Sequence, residues 1–408
     1  MNDSGKSAIF SEFFTKGQYE TQTEMLAVDG HKKGVTIGIP KEILSSEHRV
    51  SLVPHSIRTL IGYGHNVVVE AEAGEQSSFK DIDYSEAGAE VTSSREKVFK
   101  SNIVLKVAPP SLEEIDMMDT DSILISSLQI PSLTEAFLNK LKKKRITAMA
   151  MEYLQSDDGS FPIVRIMSEI AGMVSMLTAA EYLTNTSKGR GVLLGGVSGV
   201  PPAKVVILGA GVVGEFAVKT ALGLGASVRI FDNDISKLMR IQSVVGRQLH
   251  TSAINPVYLG YQLMSADVVI GAIHSKTGRT PILITEQMVS RMKEGSVIVD
   301  VSIDQGGCVE TSEMTSHDKP SFVKHGVIHY CVPNIASKVS RTASVAVSNI
   351  VTPLLLKTGG THIEHLLYIS KGIRNGCYTY KGCLTNEYLS KRFDMKYTSL
   401  DLLLTSAL

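Results

Sequence analysis

The sequence predicts an α/β protein made of two doubly wound units. Three observations lead there. Short β-branched runs alternate with amphipathic ones from Val35 onward. A Gly- and Pro-rich link, Gly189–Ala203, interrupts the alternation, which then restarts. The 408 residues, at about 150 per domain, leave room for two to three domains. Strands that alternate with helices need crossover connections, so each sheet should be largely parallel.

Residues 1–34 are polar and mixed in charge, and read as an N-terminal extension or short lead-in. Val35–Ile39, Asn66–Ala71, Ile103–Ala108, Ser122–Leu128 and Ile146–Glu152 read as strands. Apolar runs of this length suit strands covered on both faces. Between them, Ser132–Arg145 reads as a helix, with Ser132 as its cap and Glu135 closing a capping box. A long apolar helix is expected from about Met167 to Leu183, with Ser168 and Glu169 in its first turn. Gly189–Ala203 has the composition of a loop or hinge. Four more strand candidates follow: Lys204–Gly209, Ser227–Asp232, Ala266–Ile273 and Gly295–Ile303. The tail after Ser340 reads as mostly helical, broken at Gly359-Gly360.

Composition excludes several function classes. Lys plus Arg is 41 and Asp plus Glu is 41, a net charge of zero. That balance speaks against a nucleic-acid partner and against a polybasic membrane-surface protein. No stretch approaches the roughly 18–20 consecutive apolar residues of a membrane span, and the start lacks the plan of a secretory signal. Cys308, Cys331, Cys377 and Cys383 fit neither zinc-knuckle spacing nor a disulfide framework. A soluble cytoplasmic protein with reduced thiols is expected. No His/Cys/Asp cluster has metal-ligand spacing, no nucleophile elbow marks a Ser–His–acid set, and His274 reads as a surface histidine. The basic run Lys140–Arg145 reads as a solvated face at a helix C-terminus.

Gly209-Ala210-Gly211-Val212-Val213-Gly214 follows a strand and opens a helix-like run to Gly225. In this G-x-G-x-x-G pattern Gly209 permits the tight turn, Gly211 lets backbone approach a pyrophosphate, and Gly214 lets helix and strand pack closely. The helix start at Val212 and Val213 offers unpaired N–H groups to phosphates. The next strand ends in Asp232, 18 residues after Gly214, where a carboxylate can accept both ribose hydroxyl hydrogens. It would repel a 2′-phosphate, so NAD is favoured over NADP. The opposing reading is a glycine-rich turn with no ligand. Lys237 could lie near the ribose or be a solvated helix lysine.

The series GIPKE (Gly38–Glu42), HRV (His48–Val50), AGEQSSF (Ala73–Phe79), VLKV (Val104–Val107), MSEIAG (Met167–Gly172), GRGVLLGGVSGVPPA, GAGVVG, VDVSIDQGG (Val299–Gly307) and HYCVPN (His329–Asn334) resembles the alanine dehydrogenase and nicotinamide nucleotide transhydrogenase family. The match runs in order from about Val35 to Leu356. It implies an NAD-dependent, reversible oxidative deamination of L-alanine to pyruvate and ammonium, in a homo-oligomer, hexamer or dimer. It also implies two Rossmann-like domains: an NAD domain, 165–340, inserted into a substrate domain made of 35–164 and 341–408. By the same resemblance the carboxylate-binding arginine falls on Arg49 and the substrate-facing lysine on Lys106. The nicotinamide-side aspartate falls on Asp304, preceded by Ile303, the serine near the cofactor on Ser168, and the pocket asparagine on Asn334. Where the family usually has an acid/base histidine, this chain has Gln129. Glutamine can hydrogen-bond a carbonyl but cannot trade a proton near neutral pH.

The residues themselves suit that chemistry. Removing a hydride from an amino acid's Cα needs a neutral amine, a carboxylate anchor, and a donor for the later carbonyl oxygen. Arg49 offers a planar fork for the carboxylate, or is a structural arginine. Lys106 interrupts an apolar run, so it either reaches a polar cleft or points to water from an edge strand. Asp304 follows a strand end, where it could take the amine's proton or merely cap a turn; Asp300 reads as structural. With Gln129 in the histidine's place, Lys106 and Asp304 are expected to share the proton work through water. The alternatives are an NAD-linked dehydrogenase of another small amino or keto acid, a non-catalytic NAD-binding regulator, and, more remotely, a transhydrogenase subunit with a membrane partner.

Overall fold

Continuous Val/Ile/Leu runs, buried on both faces, set the frame of two parallel sheets. The structure is a computed structural model and describes residues 34–44, 46–275, 278–357 and 364–405. All of the extension except Gly34, and the Gly359-Gly360 break, lie outside the described residues. The first sheet holds β1 (Thr36–Ile39), β2 (Asn66–Glu70), β3 (Glu90–Thr92), β4 (Ile103–Leu105), β5 (Ile123–Ser126) and β6 (Thr147–Ala150). The second holds β7 (Lys204–Leu208), β8 (Ser227–Phe231), β9 (His250–Ser252), β10 (Val268–Gly271), β11 (Val297–Asp300), β12 (Ser321–Lys324) and β13 (Val327–Tyr330). β14 (Cys377–Tyr380) and β15 (Cys383–Leu384) return to the first sheet.

The orders are β15-β14-β6-β5-β4-β1-β2-β3 and β12-β13-β11-β10-β7-β8-β9. In each, the order reverses beside the first strand, and a crevice opens there at the carboxyl ends. Apolar clusters cover both faces of each sheet.

Two helices, Pro162–Tyr182 and Ser340–Leu356, tie the lobes together. The first puts Ile163 into the core of the first sheet, then Ile170, Val174, Met176 and Ala179 into that of the second. The other does the reverse, with Ala343 in the second core and Val347, Val351 and Leu355 in the first. Pro162–Tyr182 and the stretch Ile335–Leu356 are long and apolar enough to cross a membrane. Here about half or less of each is buried, in the two cores, and Val164, Met173, Leu177 and Val345 are exposed.

Four expectations are corrected. The long helix starts at Pro162, not near Met167, because proline suits the first helical position; Ser168 and Glu169 fall in its second turn. The helix expected over Ser132–Arg145 spans Glu135–Lys143, capped by the Thr134 hydroxyl, which accepts from the Phe137 N–H at 3.3 Å. Ser132 instead closes a short turn around Pro131 and donates to the Gln129 carbonyl at 2.9 Å. The strand expected over Ile103–Ala108 ends at Leu105, so Lys106 stands just past it. The tail is not only helical, since β14 adds antiparallel to β6 and turns back into β15. That hairpin turns at Lys381-Gly382, both at positive φ (45° and 89°), a two-residue geometry whose twist matches paired strands.

Candidate active site

Every residue expected to touch ligand, except Ser168 and Lys237, lies just beyond the carboxyl end of a strand. The glycine loop follows β7. Gly209 has φ of +103°, and a Cβ there would lie 2.3 Å from the Ala272 carbonyl oxygen. A Cβ on Gly214 would lie 1.9 Å from the Gly209 carbonyl oxygen, so helix and strand touch through glycine. Gly211 is different: no atom lies within 4 Å of where its Cβ would be. Space is kept open there at the start of the helix Val212–Gly223, where N–H groups lack side-chain caps. Asp232 is buried, its Oδ2 accepting from the Ala210 N–H at 2.7 Å and its Oδ1 from the Asp234 N–H at 2.8 Å. Each oxygen keeps a second lone pair. These features fit a dinucleotide: an open cradle at Gly211, helix N–H groups beside it, and a carboxylate on the neighbouring strand.

Val212 and Val213 are half-buried at the helix start, Ile303 is buried, and Ser168 is half-buried on Pro162–Tyr182. That helix meets the cofactor loop closely, since a Cβ on Gly172 would lie 2.4 Å from the Val213 carbonyl oxygen. Lys237 is exposed in the first turn of Ile235–Val245, the solvated position.

The residues expected to face a substrate form a chain of contacts running between the lobes. Glu47 takes Arg49 side-on, Oε1 to Nε at 2.7 Å and Oε2 to Nη2 at 2.5 Å. Glu47 Oε2 also accepts from Asn334 Nδ2 at 2.9 Å, and the Asn334 N–H donates to Asp304 Oδ1 at 3.3 Å. Among the described residues Arg49 Nη1 meets only the Met167 sulfur, at 3.2 Å, a weak acceptor. Asp304 sits in the turn Val301–Gln305 after β11. Its surface is open to the crevice, yet the protein around it pushes its carboxyl above the ordinary range, against the pull of the Asn334 N–H and the Arg49 charge. Asp300 builds the turn instead, accepting from Ser302, Cys308 and Val309 N–H groups and from the Ser312 hydroxyl.

Lys106 does not point to water. Its side chain is 1% exposed, with Nζ 2.5 Å from Glu42 Oε2 and 3.8 Å from Glu114 Oε2. Gln129 is exposed in a left-handed conformation (φ 46°), and its N–H donates to Glu152 Oε1 at 2.7 Å. Its side chain makes no hydrogen bond among the described residues, so it is not brought onto Lys106, Arg49 or Asp304.

The sequence reading passed over Glu42, Glu47 and Glu152, though Glu42 ends the motif GIPKE and Glu47 directly precedes the motif HRV. A buried cation demands a buried partner, and that rule could have pointed to them. His329 is a core histidine between Thr311 Oγ1 (2.7 Å) and the Val327 carbonyl (2.9 Å), stacked on Phe322, and His274 is exposed. Among the described residues no cluster could hold a metal ion.

Comparison with known proteins supplies the family. The N-terminal domain of the alanine dehydrogenase/PNT family matches residues 38–171, and its C-terminal domain matches residues 175–387. The chain belongs to the alanine dehydrogenase/PNT family. Alanine dehydrogenase 2 of Staphylococcus aureus is 39% identical over 369 residues, 90% of this chain and 98% of the relative. A solved L-alanine dehydrogenase superposes with a TM-score of 0.83 at 39% identity, covering 88% of this chain and 99% of that one. A transhydrogenase from Sinorhizobium meliloti gives 0.74 at 25% identity over 86% and 99%. The two Rossmann-like sheets and the NAD-binding character are thus those of the family.

Proposed function

We infer that this chain catalyses the NAD-dependent, reversible oxidative deamination of L-alanine to pyruvate and ammonium. The observation that carries the reading is the run Arg49–Glu47–Asn334–Asp304, which joins a carboxylate anchor to a carboxylate beside the cofactor cradle. A bare nucleotide-binding protein has no use for that run. NAD, when bound, accepts the hydride released from the substrate's Cα. Gly209, Gly211, Val212, Val213, Gly214, Asp232, Ser168 and Ile303 are the residues that would hold it.

The chain's own groups do the rest. Glu47 occupies one edge of Arg49 and leaves Nη1 and the outer Nη2 proton to grip the substrate carboxylate. Lys106 has three N–H donors, and among the carboxylates of the described residues only Glu42 lies within hydrogen-bond reach, so donors remain for the substrate. Asp304 balances the iminium charge and, through water, helps relay the substrate ammonium's proton toward Lys106. Gln129 can donate a hydrogen bond toward a carbonyl oxygen but moves no proton.

The domain division, 35–164 with 341–408 around 165–340, is supported by which core each element fills. A homo-oligomer, hexamer or dimer, is supported by exposed Val164, Met173, Leu177 and Val345 on the two long helices. Cytoplasmic placement is supported by four free cysteines.

The test is to follow NADH with pyruvate plus ammonium, then with glyoxylate and branched keto acids, and in reverse with NAD plus L-alanine. Turnover fastest on pyruvate and L-alanine is expected. NAD binding with no turnover on any substrate would sink the reading in favour of a regulatory protein.

A further inference from the structure

Gln129 leaves a gap, because the substrate ammonium must lose a proton before its Cα can give up hydride. The group placed to fill it is Glu42, in the segment that leaves β1. Glu42 Oε1 accepts from the Val107 N–H at 2.7 Å and lies 3.4 Å from the Ala108 nitrogen. Its Oε2 meets Lys106 Nζ at 2.5 Å, with the two side chains 6% and 1% exposed. Backbone thus fixes one oxygen, and the other is aimed at the ammonium.

The charges around this pair are uneven. Glu114 lies 3.8 Å from Lys106 Nζ, and Arg95 bridges Glu114 and Glu70. Glu47 also acts on Glu42 but is already paired with Arg49, and Lys41 pairs with Glu72. The core of the cluster therefore sets three carboxylates (Glu42, Glu70, Glu114) against two cations (Lys106, Arg95). A buried group of this kind favours taking up one proton.

Resting on the function proposed above, we propose that Glu42 is the proton-holding partner of Lys106, so that the pair takes the proton the substrate ammonium loses. The Lys106 Nζ–H bond breaks as an O–H bond forms on Glu42 Oε2. The resulting amine lone pair on Nζ takes a proton from the substrate ammonium. One substrate N–H is broken, one Glu42 O–H is made, and Lys106 is an ammonium again. Pyruvate amination runs the same step backward. Burial pushes the Glu42 carboxyl above the ordinary range, against the pull of Lys106, which suits a group that must hold a proton and return it.

The test uses Glu42→Gln, Glu42→Asp and Lys106→Met in the full chain, with NAD binding as the control for folding. The readout is the pH profile of kcat for L-alanine oxidation. Glu42→Gln should lower kcat at neutral pH by about a hundredfold. Its profile should move to higher pH by about one unit or more, because Lys106 must then keep the proton itself. Glu42→Asp keeps a carboxylate and should recover part of the rate. A Glu42→Gln profile like that of the parent overturns the proposal, as does Glu42→Asp falling to the level of Glu42→Gln; if the glutamine variant does not fold, the aspartate profile decides. Lys106→Met that keeps more than about a tenth of the rate sinks the underlying reading of Lys106 instead.

Discussion

The Glu47 carboxylate holds Arg49 by its Nε and Nη2 edge, at 2.7 and 2.5 Å, and so decides which N–H groups the arginine still has to offer. Both side chains are nearly buried, at 4% and 10% exposure. An unpaired guanidinium there would be costly to desolvate. Glu47 also accepts from Asn334, which belongs to the loop after β13 in the other lobe. The proposed substrate anchor is thereby tied to the loop after β13 in the other lobe.

Arg49→Lys tests that geometry. Lysine keeps the charge but has no fork, so it cannot satisfy Glu47 and a substrate carboxylate in one plane. KM for pyruvate and for L-alanine should rise about ten- to hundredfold, the loss of one charged hydrogen bond. NAD affinity, read by fluorescence titration, should stay within about twofold because the cradle is untouched. An unchanged KM would remove Arg49 from the anchor role.

Gln129→His tests what the glutamine costs. The position has φ of 46°, which histidine tolerates better than most residues. Glu152 would still hold the loop through the Leu128 and Gln129 N–H groups at 3.2 and 2.7 Å. An added imidazole should raise kcat by up to about a hundredfold, the lower reach of general acid–base help. Steady-state rates in both directions check it. A variant no faster than the parent would mean that the proton moves without help from that loop.

The cofactor cradle makes two opposite predictions from one motif. Gly211→Ala puts a methyl into space that is empty among the described residues, so the fold should melt as before. NAD binding should weaken about tenfold or more, because that space is needed for backbone approach to the pyrophosphate. Gly214→Ala drives a Cβ to 1.9 Å from the Gly209 carbonyl oxygen. It should cost about 1–3 kcal/mol or more in stability as the helix is pushed off the strand. Thermal melting with and without NAD separates the two outcomes.

The fold was legible along most of the strands buried on both faces, but not in β13 (Val327–Tyr330) or β14 (Cys377–Tyr380), which are buried throughout and were not read as strands. Ile103–Leu105, Thr147–Ala150, Val268–Gly271 and Val297–Asp300 are buried throughout, and each appears in the sequence as a mainly apolar run, with Thr147 and Asp300 at its ends. β3, β9, β12 and β15 did not announce themselves, since edge strands of two to four residues carry no usable period. Two of the hairpin turns do carry a signal, His325-Gly326 and Lys381-Gly382, with both residues of each at positive φ. In the site, residues marked by unusual chemistry were readable: a lysine in an apolar run, an arginine after the first strand, glycines at fixed spacing. Glu42 and Glu47 were not, because a glutamate in a loop looks solvated until the cation it faces is known to be buried.

Tyr378 tests whether the tail hairpin belongs to the first lobe. It lies on β14, which pairs with β6, and its ring is fully buried in the cluster with Leu138, Leu141 and Leu384. Its hydroxyl is buried with no hydrogen-bond partner among the described residues, and burial drives the phenol far above its ordinary range. Two substitutions should therefore move stability in opposite directions. Tyr378→Phe removes an unsatisfied polar atom and keeps the ring, so it should stabilise by about 1 kcal/mol. Tyr378→Ala empties the ring's space and should cost about 3–5 kcal/mol. The phenylalanine variant should melt about 2–4 °C higher than the parent, and the alanine variant well below it. NAD affinity should be the same in all three at a temperature where they are folded, because the hairpin lies on the far edge of the other sheet. Parent-like melting of the alanine variant would mean that the tail adds nothing to that core.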